Sequence, residues 1–398
     1  MGRVFDMVVA DLMAAFCVAV LAVHLASVVA AAIRCRRRPL RLPPPKPPLP
    51  VTLVLPVCGI ENFTVETLGA AFRLDYPDYE IVFCAARCDD PAAPLVRRLI
   101  AQHPHVPARL LIGDERVSGN PKLDNVIKGW HAACHPWIVI ADSNLLMPVD
   151  YIQRLLARWR AGSGAVCSMP IGTNPGNFWA ELEIAFPNTL QARYQYAAES
   201  AGLGFAQGKT MLFRREMLDA HGGIGALAAE TAEDAAATKL IRAAGLHVHL
   251  VDNPFAQPLG RRRFREVWAR QLRWARLRRI SFPALFLPEI FVGSLLPGIA
   301  AMIAAAGWGQ NGAAAACLLL AIWFGAEIAL ACRTGWPLTW RLLPALAIRD
   351  LLLPALWIAA WTGNDFVWRG NAMSARPAVQ RDPAAATAAA DNRAGQEA

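Results

Sequence analysis

The sequence lacks several short motifs that identify common enzyme classes. It has no G-x-x-x-x-G-K-[ST] phosphate-binding loop, no G-x-S-x-G nucleophile elbow and no H-E-x-x-H zinc site. A P-loop NTPase, a serine hydrolase of the α/β type and a zinc protease of that class are therefore not expected. The segment GIGALA at 223–228 matches a dinucleotide-binding pattern in form only, because no clear strand directly precedes it.

Cysteine pairs with metal-binding spacing are also missing. None of the nine cysteines belongs to a C-x-x-C pair, and Cys84 with Cys88 has no second pair to complete a zinc site. Because we expect the soluble part of the chain to lie inside the cell, we interpret the cysteines as reduced thiols.

Charged residues are scarce. They make up 18% of the chain, whereas 55% of the residues are hydrophobic, which is more than a soluble enzyme normally carries. The net charge of +9 would by itself suggest nucleic-acid binding. Many of the arginines, however, lie at 34–41 and 261–279, beside predicted membrane segments, where positive-inside bias and anionic lipid explain them. We therefore expect a membrane, and no nucleic acid, as a partner.

Long apolar runs are the most prominent feature that the sequence does contain. Residues 7–33 form one such run, and its arginines follow it, at 34 and at 36–38. A secretory signal peptide carries its positive charges before the apolar stretch, so this run predicts a transmembrane helix. The positive-inside tendency places the chain after Arg34 in the cytoplasm. A stiff, proline-rich spacer at 43–50 follows.

Three more apolar runs close the chain, at roughly 285–306, 313–332 and 342–361. Each is about as long as a membrane-spanning helix. The last contains Arg349 and Asp350. Because charges at the bilayer centre are costly, this pair indicates an interior or re-entrant position for the segment.

The middle of the chain predicts a soluble α/β domain. Short apolar runs bounded by Pro, Gly, Asp or Asn predict five strands, and helical patterns at 91–103 and 149–160 lie between them. Such alternation is typical of a doubly wound, mostly parallel sheet, in which ligands bind beyond the carboxyl ends of the strands. The predicted strands are 51–57, 79–86, 108–113, 137–142 and 164–170.

Acidic residues follow two of these strands. Asp89 and Asp90 come after the second strand, and Asp142, followed by Asn144, ends the fourth. A carboxylate there can hold a divalent cation or the hydroxyls of a sugar or ribose, although Asp is also a common N-cap residue. Asp234 adds a third acidic site at the head of an alanine-rich helix. Together the three sites fit a sugar-nucleotide transferase, with one acid each for the nucleoside, the metal-bound diphosphate and proton abstraction.

A basic amphipathic helix is predicted after this domain. Arg270, Arg273 and Trp274 stand at i, i+3 and i+4 and share one face, as R-x-x-R-W. Guanidinium groups can stabilise a diphosphate while its negative charge grows, and the tryptophan can wall the acceptor site. The alternative is a polybasic anchor. The neighbouring apolar arc, typical of a helix in the membrane interface, contains Phe264, Val267, Trp268, Leu272 and Ala275.

Five segments taken together resemble the ceramide glucosyltransferases, in the glycolipid branch of the inverting GT-A-fold glycosyltransferases. They are LDYPDYEIVFCAARCDDP, NPKLDN, ADSN, AEDAAA and RQLRWARLR. Their order and approximate spacing are similar to those of that family, and the resemblance extends from the N-terminal helix to about Arg369. It implies a GT-A-type, doubly wound and mostly parallel sheet, with one N-terminal and about three C-terminal membrane helices.

The resemblance also implies roles for individual residues. Asp90 would contact the uracil or ribose of a UDP-sugar, and Lys122 would lie near the nucleotide. Asp142 matches the metal-site acid of a D-x-D-like motif whose third position here is Asn144, so a single carboxylate would anchor Mg²⁺ or Mn²⁺. Asp234 matches the catalytic base, and the R-x-x-R-W residues complete the catalytic set. The segment QGKTMLFRRE at 207–216 resembles the family's loop beneath the acceptor, and it equally fits a turn entering a helix.

The function that the resemblance implies is transfer of glucose from UDP-glucose to the primary hydroxyl of a lipid such as ceramide, with inversion, giving a β-glucosyl lipid. A hopanoid or other polyol-lipid glycosyltransferase, with N-acetylglucosamine as a further donor, shares these motifs. Processive polysaccharide synthases are disfavoured, because they usually carry Q-x-x-R-W and more spans. A membrane scaffold or transporter without enzyme activity is the remaining alternative, although inverted apolar repeats typical of transporters are absent.

We therefore expect an integral protein of a bacterial inner membrane with a cytoplasmic catalytic domain. Its expected partners are the UDP-sugar, the lipid acceptor and the membrane, and nothing implies a protein partner. The predicted organisation is an N-terminal transmembrane helix (1–34), a basic, proline-rich linker (35–50), a GT-A catalytic domain (51–260), an amphipathic interfacial helix (261–282), a C-terminal membrane region (283–370) and a disordered tail (371–398).

Overall fold

The computed structural model describes residues 2–35, 41–114 and 116–375. Residues 36–40 of the predicted linker, and the predicted tail from 376 onwards, lie outside the described residues. The strands are β1 Val51–Pro56, β2 Tyr79–Ala85, β3 Ala108–Ile112, β4 Trp137–Ala141, β5 Ser163–Cys167, β6 Pro170–Pro175, β7 Thr210–Arg214, β8 His247–Leu250, β9 Phe255–Gly260, β10 Asp365–Trp368 and β11 Asn371–Ser374.

Fourteen α-helices and three helical turns of other types occur in the described residues. The turns are a π-helix at Pro187–Ala192 and 3₁₀ helices at Ile224–Ala229 and Leu287–Phe291. The α-helices are α1 Gly2–Arg34, α2 Thr64–Ala71, α3 Ala92–Gln102, α4 Pro121–Ala132, α5 Tyr151–Leu156, α6 Phe178–Ala185, α7 Arg193–Ser200, α8 Arg215–Asp219, α9 Glu233–Ala243, α10 Phe264–Ser281, α11 Pro283–Phe286, α12 Leu295–Gly307, α13 Gly312–Thr334 and α14 Leu342–Trp361.

Seven strands form the central sheet, in the order β3-β2-β1-β4-β7-β5-β8. Strand β1 pairs in parallel with β2 and β4, and β2 pairs in parallel with β3. Only β7 runs antiparallel to its neighbours, β4 and β5. The expected α/β class with a mostly parallel sheet is confirmed, and each of the five predicted strand segments contains a strand.

Helices cover both faces of this sheet, so its central strands are buried on both sides. Leu53 and Leu55 of β1 contact one core, and Val54 contacts the other, as the two-residue period of a strand requires. Leu68 of α2 belongs to the first core and Trp130 of α4 to the second. Two-sided burial explains why the strands read as continuous apolar runs rather than as alternating patterns.

The segment at 207–216 contains a strand that the sequence did not reveal. Residues Thr210–Arg214 form β7 between β4 and β5, with Ile140 opposite Met211, and α8 begins directly afterwards. The expectation of a loop, or of a turn entering a helix, was therefore wrong for most of this segment. The physical reason is tertiary: Met211, Leu212 and Phe213 are fully buried between two neighbouring strands that are distant in sequence.

Helices α1, α12 and α13 pack against one another. Trp308 Nε1 donates to Asp11 Oδ1 over 3.0 Å at one end, and Arg333 Nε donates to Ala32 O over 3.3 Å at the other. In the described residues, three helices are long and apolar enough to cross a membrane, at Phe5–Arg34, Gly312–Thr334 and Leu342–Trp361, or four with a bent pair counted as one span. The expected set of membrane helices is confirmed.

The bent pair replaces the single run predicted at 285–306. Pro283–Phe291 and Leu295–Gly307 meet at an angle of 51°. At the break, Asp350 Oδ2 accepts a hydrogen bond from Ser294 N over 2.8 Å. A buried carboxylate that takes up a backbone N–H at this point compensates for the hydrogen bond that a continuous helix would have made.

Two further expectations need correction. Helix α10 forms where the basic helix was predicted, but Val267 of its apolar arc packs on Phe186 and Leu356 of this protein rather than facing the membrane. The predicted disordered tail begins too early, because Asn371–Ser374 forms β11 and pairs with β10 as a hairpin. Residues distant in the chain supply the partners of Val267, whereas β11 pairs with the strand directly before it.

Candidate active site

The site lies at the carboxyl end of β4. Asp142 follows β4 directly, Lys122 lies in the first turn of α4, and Lys209 immediately precedes β7. Because β7 is antiparallel to β4, the start of β7 lies beside the end of β4, and Asp142 N donates to Lys209 O over 3.1 Å. The two carboxylate oxygens of Asp142 each lie 2.7 Å from an ammonium nitrogen, one of Lys122 and one of Lys209.

An acidic pair at the N-terminus of α9 faces the same lysine. Glu233 Oε1 lies 2.6 Å from Lys122 Nζ, and Glu233 Oε2 accepts a hydrogen bond from Asn120 Nδ2 over 2.8 Å. The unpaired N–H groups of a helix N-terminus favour negative charge in this position. A single ammonium group, that of Lys122, therefore joins the strand-end acid Asp142 to the acids of α9.

Backbone groups hold the second acid of this pair. Asp234 Oδ2 accepts a hydrogen bond from Gly208 N over 2.9 Å, and Lys122 Nζ donates to Gly208 O over 2.7 Å. A Cβ atom at position 208 would lie 2.9 Å from Glu233 Oε1 and 3.2 Å from Asp234 Oδ2. This close approach of backbone to carboxylates explains why a glycine occupies the position.

The surroundings shift the pKa values of Asp142 and Asp234 in opposite directions. Burial disfavours the ionised form of Asp142, but the Lys122 and Lys209 ammonium groups outweigh it and hold the pKa of Asp142 below its usual range. Burial raises the pKa of Asp234 to about 6, and the neighbouring Glu233 carboxylate adds to the shift. Asp142 therefore stays ionised, whereas Asp234 takes up a proton as the pH falls through about 6.

Asp142 and Asn144 are the predicted metal ligands. Asn144 Oδ1 accepts a hydrogen bond from Lys209 Nζ over 3.1 Å, so both side chains face the same lysine. Among the described residues no group of three or more His, Cys, Asp or Glu side chains could hold a metal. One carboxylate and one amide oxygen nevertheless fit Mg²⁺, which is usually bound by one or two carboxylates together with substrate phosphates and water.

Asp90 follows β2, which ends at Ala85 and is separated from β4 in the sheet by β1. Its carboxylate accepts hydrogen bonds from Gly59 N over 3.0 Å and from Ala92 N over 2.8 Å. The loop at 58–61 also reaches the metal-ligand candidates, because Asn144 Nδ2 approaches Glu61 Oε2 at 3.4 Å. Asp90 therefore borders the same edge of the sheet, although no polar contact in the described parts of the chain joins it directly to the cluster around Lys122.

The R-x-x-R-W arginines have different partners. Arg270 forms an ion pair with Glu183 of α6. The half-buried Arg273 guanidinium lies 5.8 Å from the centroid of the Trp368 ring. The negative charge of Asp142 favours the ionised form of Arg273. Burial, followed by the charge of Arg270, lowers the pKa of Arg273 to about 10. A cation in a position that disfavours its charge is suited to bind an anion. Trp274 is half-buried on the same helix.

Several residues of the site were missed by the sequence analysis. Lys209 lies in the QGKT segment, for which the sequence predicted no contact with Asp142. Arg369, in the turn between β10 and β11, donates to Cys58 O over 2.9 Å and pairs with Glu61. Burial opposes ionisation of Glu61, but Arg369 and other cations outweigh it and lower its pKa. The basic and aromatic segment FVWRG at 366–370 was the available signal, and only tertiary structure brings it here.

Comparison with known proteins identifies the family. The family model described as glycosyl transferase family 21 matches residues 18–380. Ceramide glucosyltransferase 1 of Caenorhabditis elegans is 27% identical over 248 residues, which cover 62% of this chain and 53% of that protein. The ceramide glucosyltransferase of Komagataella phaffii is 32% identical over 202 residues, 45% of this chain and 40% of that protein. The chain thus spans about half the length, or less, of these curated relatives.

A solved structure gives a more distant likeness. A mannosyltransferase from Pyrobaculum calidifontis, in complex with GDP-Man and Mn²⁺, is 22% identical, with a TM-score of 0.43 over 85% of this chain and 99% of that one.

Proposed function

Because the chain belongs to glycosyl transferase family 21, we propose that it transfers a hexose from a UDP-sugar to the primary hydroxyl of a membrane lipid, with UDP-glucose and a ceramide-like acceptor as the preferred pair. The observation that carries the proposal is the Lys122 ammonium group, which lies within 2.7 Å of both Asp142 and Glu233. It holds Asp142, which stays ionised, close to the N-terminus of α9, where Glu233 is followed directly by Asp234, the acid of raised pKa. Glycosyl transfer needs both a base and a site for the leaving diphosphate.

Asp234 is the proposed base. A lipid's primary hydroxyl has a pKa far above neutrality, so its attack requires a positioned acceptor for the proton, which typically contributes about 10²- to 10⁴-fold. Asp234 takes that proton as the hydroxyl oxygen bonds to the anomeric carbon. The bond from that carbon to the diphosphate oxygen breaks on the opposite face, and the configuration inverts. The two hydrogen bonds from Gly208 N and Ala235 N hold the carboxylate in place during this step.

Cationic side chains receive the leaving group. Lys122 and Lys209 pair with Asp142, and the charge of Asp142 also acts on Arg273. Charge-assisted hydrogen bonds from such cations are about twice as strong as neutral ones. Their contribution is largest in the transition state, when the negative charge on the diphosphate grows. The two lysines are held by Asp142 before the donor binds, so they need little reorganisation to meet the diphosphate.

Asp142 and Asn144 are the proposed ligands of Mg²⁺ or Mn²⁺. A bound divalent cation would neutralise diphosphate charge and orient the donor. Lys209 contacts both ligands in the structure, so we expect the cation to bind tightly only together with the diphosphate. Asp90 is the proposed contact to the uracil or ribose, since its carboxylate follows β2 on the same side of the sheet and is fixed by two backbone N–H groups.

The membrane helices favour a lipid as the acceptor. The catalytic domain is fastened to α1 by Arg34, which pairs with Glu199 over 2.7 Å and with Asp252 over 2.8 Å. We propose that the protein is integral to a bacterial inner membrane and that the catalytic domain faces the cytoplasm, where UDP-sugars are made. The arginines that follow α1 support this orientation through the positive-inside tendency.

A hopanoid or other polyol-lipid acceptor, with UDP-N-acetylglucosamine as donor, is the second candidate. The same acids and the same arginine motif would serve that reaction. The two candidate functions therefore differ only in their donor and acceptor substrates, and a substrate assay distinguishes them. Purified protein in lipid nanodiscs should be given labelled UDP-glucose or UDP-N-acetylglucosamine with ceramide or a hopanoid polyol, and the lipid products analysed by mass spectrometry. Transfer to ceramide from UDP-glucose is the expected result, and transfer only to the hopanoid would replace the first candidate with the second.

The variant that tests the site is Asp142→Asn. Loss of its charge leaves Lys122 and Lys209 without their shared anion and removes the proposed metal ligand. We expect weaker UDP binding in the presence of Mg²⁺ or Mn²⁺ and loss of transfer, measured by calorimetry and by product formation. Asp150→Asn, in a buried carboxylate paired with Arg154 away from the cluster, is the matched control for a structural effect. Unchanged metal-dependent binding by Asp142→Asn would end this assignment.

A further inference from the structure

Helix α14 has an apolar face that no part of the described chain covers. Leu343, Leu351, Ile358 and Trp361 are between 43% and 58% exposed and recur along one side of the helix. The opposite side is buried against the protein, chiefly α6 and α10. With 20 residues the helix is about 30 Å long, which is also about the thickness of the hydrocarbon core of a bilayer. By length and composition alone it would be expected to span the membrane.

Both ends of α14 nevertheless contact the catalytic domain. Just before its start, Thr339 Oγ1 donates to Glu181 Oε1 of α6 over 2.9 Å. Just after its end, the β10–β11 hairpin reaches the loop that follows the central strand β1, where Arg369 pairs with Glu61. Thr231, which precedes α9, donates to Ser374 O of the hairpin over 3.1 Å. A helix that crossed the bilayer would carry one of its ends about 30 Å away from the domain on which both ends rest.

The packing of the other apolar helices differs. Helices α1, α12 and α13 pack on one another, whereas α14 packs mainly on α6 and α10. Neither of these two is a membrane-spanning helix, because α6 has only 8 residues and α10 carries exposed charges such as Arg265 and Glu266. Helix α14 therefore packs on the catalytic domain and its flanking helix α10 rather than within the bundle of α1, α12 and α13.

The charges in the middle of α14 agree with this placement. Arg349 is fully buried and pairs with Glu327 of α13 over 2.9 Å, and it also donates to Ala185 O and to Thr189 Oγ1, each over 3.0 Å. All of these contacts lie on the protein side of the helix. Glu327 lies seven residues before the end of α13 at Thr334, or about 10 Å along that helix. Helix α14 thus meets the bundle near one membrane boundary rather than at its centre.

From these contacts we infer that α14 lies in the plane of the membrane, with the Leu343, Leu351, Ile358 and Trp361 face embedded at the boundary between headgroups and acyl chains. Its partner is the lipid surface, and the embedded face is continuous with the lipid-facing surface of the three-helix bundle. Interfacial helices of this type bury their apolar side about 5–10 Å into that boundary. The chain after α14 consequently lies on the same side as the catalytic domain.

Depth measurements along α14 test the inference. Leu343→Cys, Leu351→Cys and Ile358→Cys are labelled with a fluorophore in nanodiscs whose lipids carry a quencher at shallow or deep acyl positions. The three positions cover 15 residues, or about 22 Å of helix. An in-plane helix gives the same shallow quenching at all three. A spanning helix gives deep quenching at position 351 and shallow quenching at the two flanking positions, and that pattern would overturn the inference.

Helix α13 supplies the matched control. It is expected to span, so a label on the native, exposed Cys332 near its end should be shallow, and a label at Ile322→Cys near its middle should be deep. In each labelled variant the other exposed cysteines are replaced by serine, whereas the buried ones stay because they do not react. Labelled variants are accepted only if they elute as the wild-type protein does, which separates misfolding from a change in depth.

A second measurement reports the side of the membrane. Val367→Cys, in the hairpin after α14, is 70% exposed, and Val117→Cys, in the catalytic domain, is 63% exposed. A membrane-impermeant maleimide should label both from the same side, and Gln310→Cys, between α12 and α13, from the other side. Labelling of position 367 together with position 310 would show that α14 crosses. Neither measurement depends on catalysis, so the orientation of α14 is tested independently of the proposed reaction.

Discussion

The raised pKa of Asp234 predicts how the turnover of this protein depends on pH. Burial, with the adjacent Glu233 carboxylate, raises that pKa to about 6 from an ordinary value of 3.8. A base acts in its ionised form, and a raised pKa means that this form is lost as the pH falls through about 6. At pH 7 about nine-tenths of Asp234 is ionised, and at pH 5 about one-tenth. Turnover should therefore fall about tenfold between pH 7 and pH 5.

The assay is the initial rate of transfer from labelled UDP-glucose to a lipid acceptor in nanodiscs, at saturating donor, over pH 4.5–8. An aspartate at its ordinary pKa would lose less than a tenth of its activity between pH 7 and pH 5. Glu233→Gln removes the neighbouring charge, so the acid limb of that variant should move to lower pH. Circular dichroism at each pH separates loss of the base from acid unfolding.

Asp234→Asn removes the base and keeps the shape. The expected loss of turnover is about 10²- to 10⁴-fold, or about 3–5 kcal/mol of transition-state stabilisation, with UDP binding nearly unchanged. Asp219→Asn, at an exposed position at the end of α8, is the matched control and should behave as the wild type. A flat pH profile between pH 5 and pH 7, or normal turnover by Asp234→Asn, would refute the assignment of Asp234 as base.

Three other variants test the rest of the site. Arg273→Ala should lower turnover by about 10²-fold, because it removes a cation from the growing diphosphate charge; the exposed Arg265→Ala on the same helix should not, and equal losses in protein yield and turnover would instead favour a membrane anchor. Asp90→Asn should raise the KM for the UDP-sugar by about tenfold or more with little change in kcat, whereas Asp89→Asn, in an exposed residue paired with Arg87, should leave both unchanged. Gly208→Ala should displace the Glu233 and Asp234 carboxylates, lowering turnover and destabilising the fold by about 1–3 kcal/mol in thermal unfolding, since the new Cβ would lie 2.9 Å from Glu233 Oε1; wild-type turnover would show that the carboxylates can move without loss.

Local sequence pattern was sufficient for the features that depend on neighbouring residues. Apolar runs predicted α1 and α13, and bounded β-branched runs predicted β1 to β5, because the period and length of such runs reflect burial of a single element. The order of strands and helices placed Asp142 at a strand end, and the amphipathic pattern predicted α10. The resemblance to the ceramide glucosyltransferases was visible in the same short segments.

Tertiary structure decided what depends on residues far apart in the chain. Strand β7 could not be recognised in QGKTMLFRRE, because its neighbours β4 and β5 supply the burial that makes it a strand, and with it Lys209 reaches Asp142 from 67 positions away. The contact of Lys122 with Glu233, the arrival of Arg369 at Glu61 and the packing of the α10 arc on Leu356 are likewise long-range. Composition showed that α14 is apolar enough for a membrane, but only the contacts at its two ends indicate how it lies there.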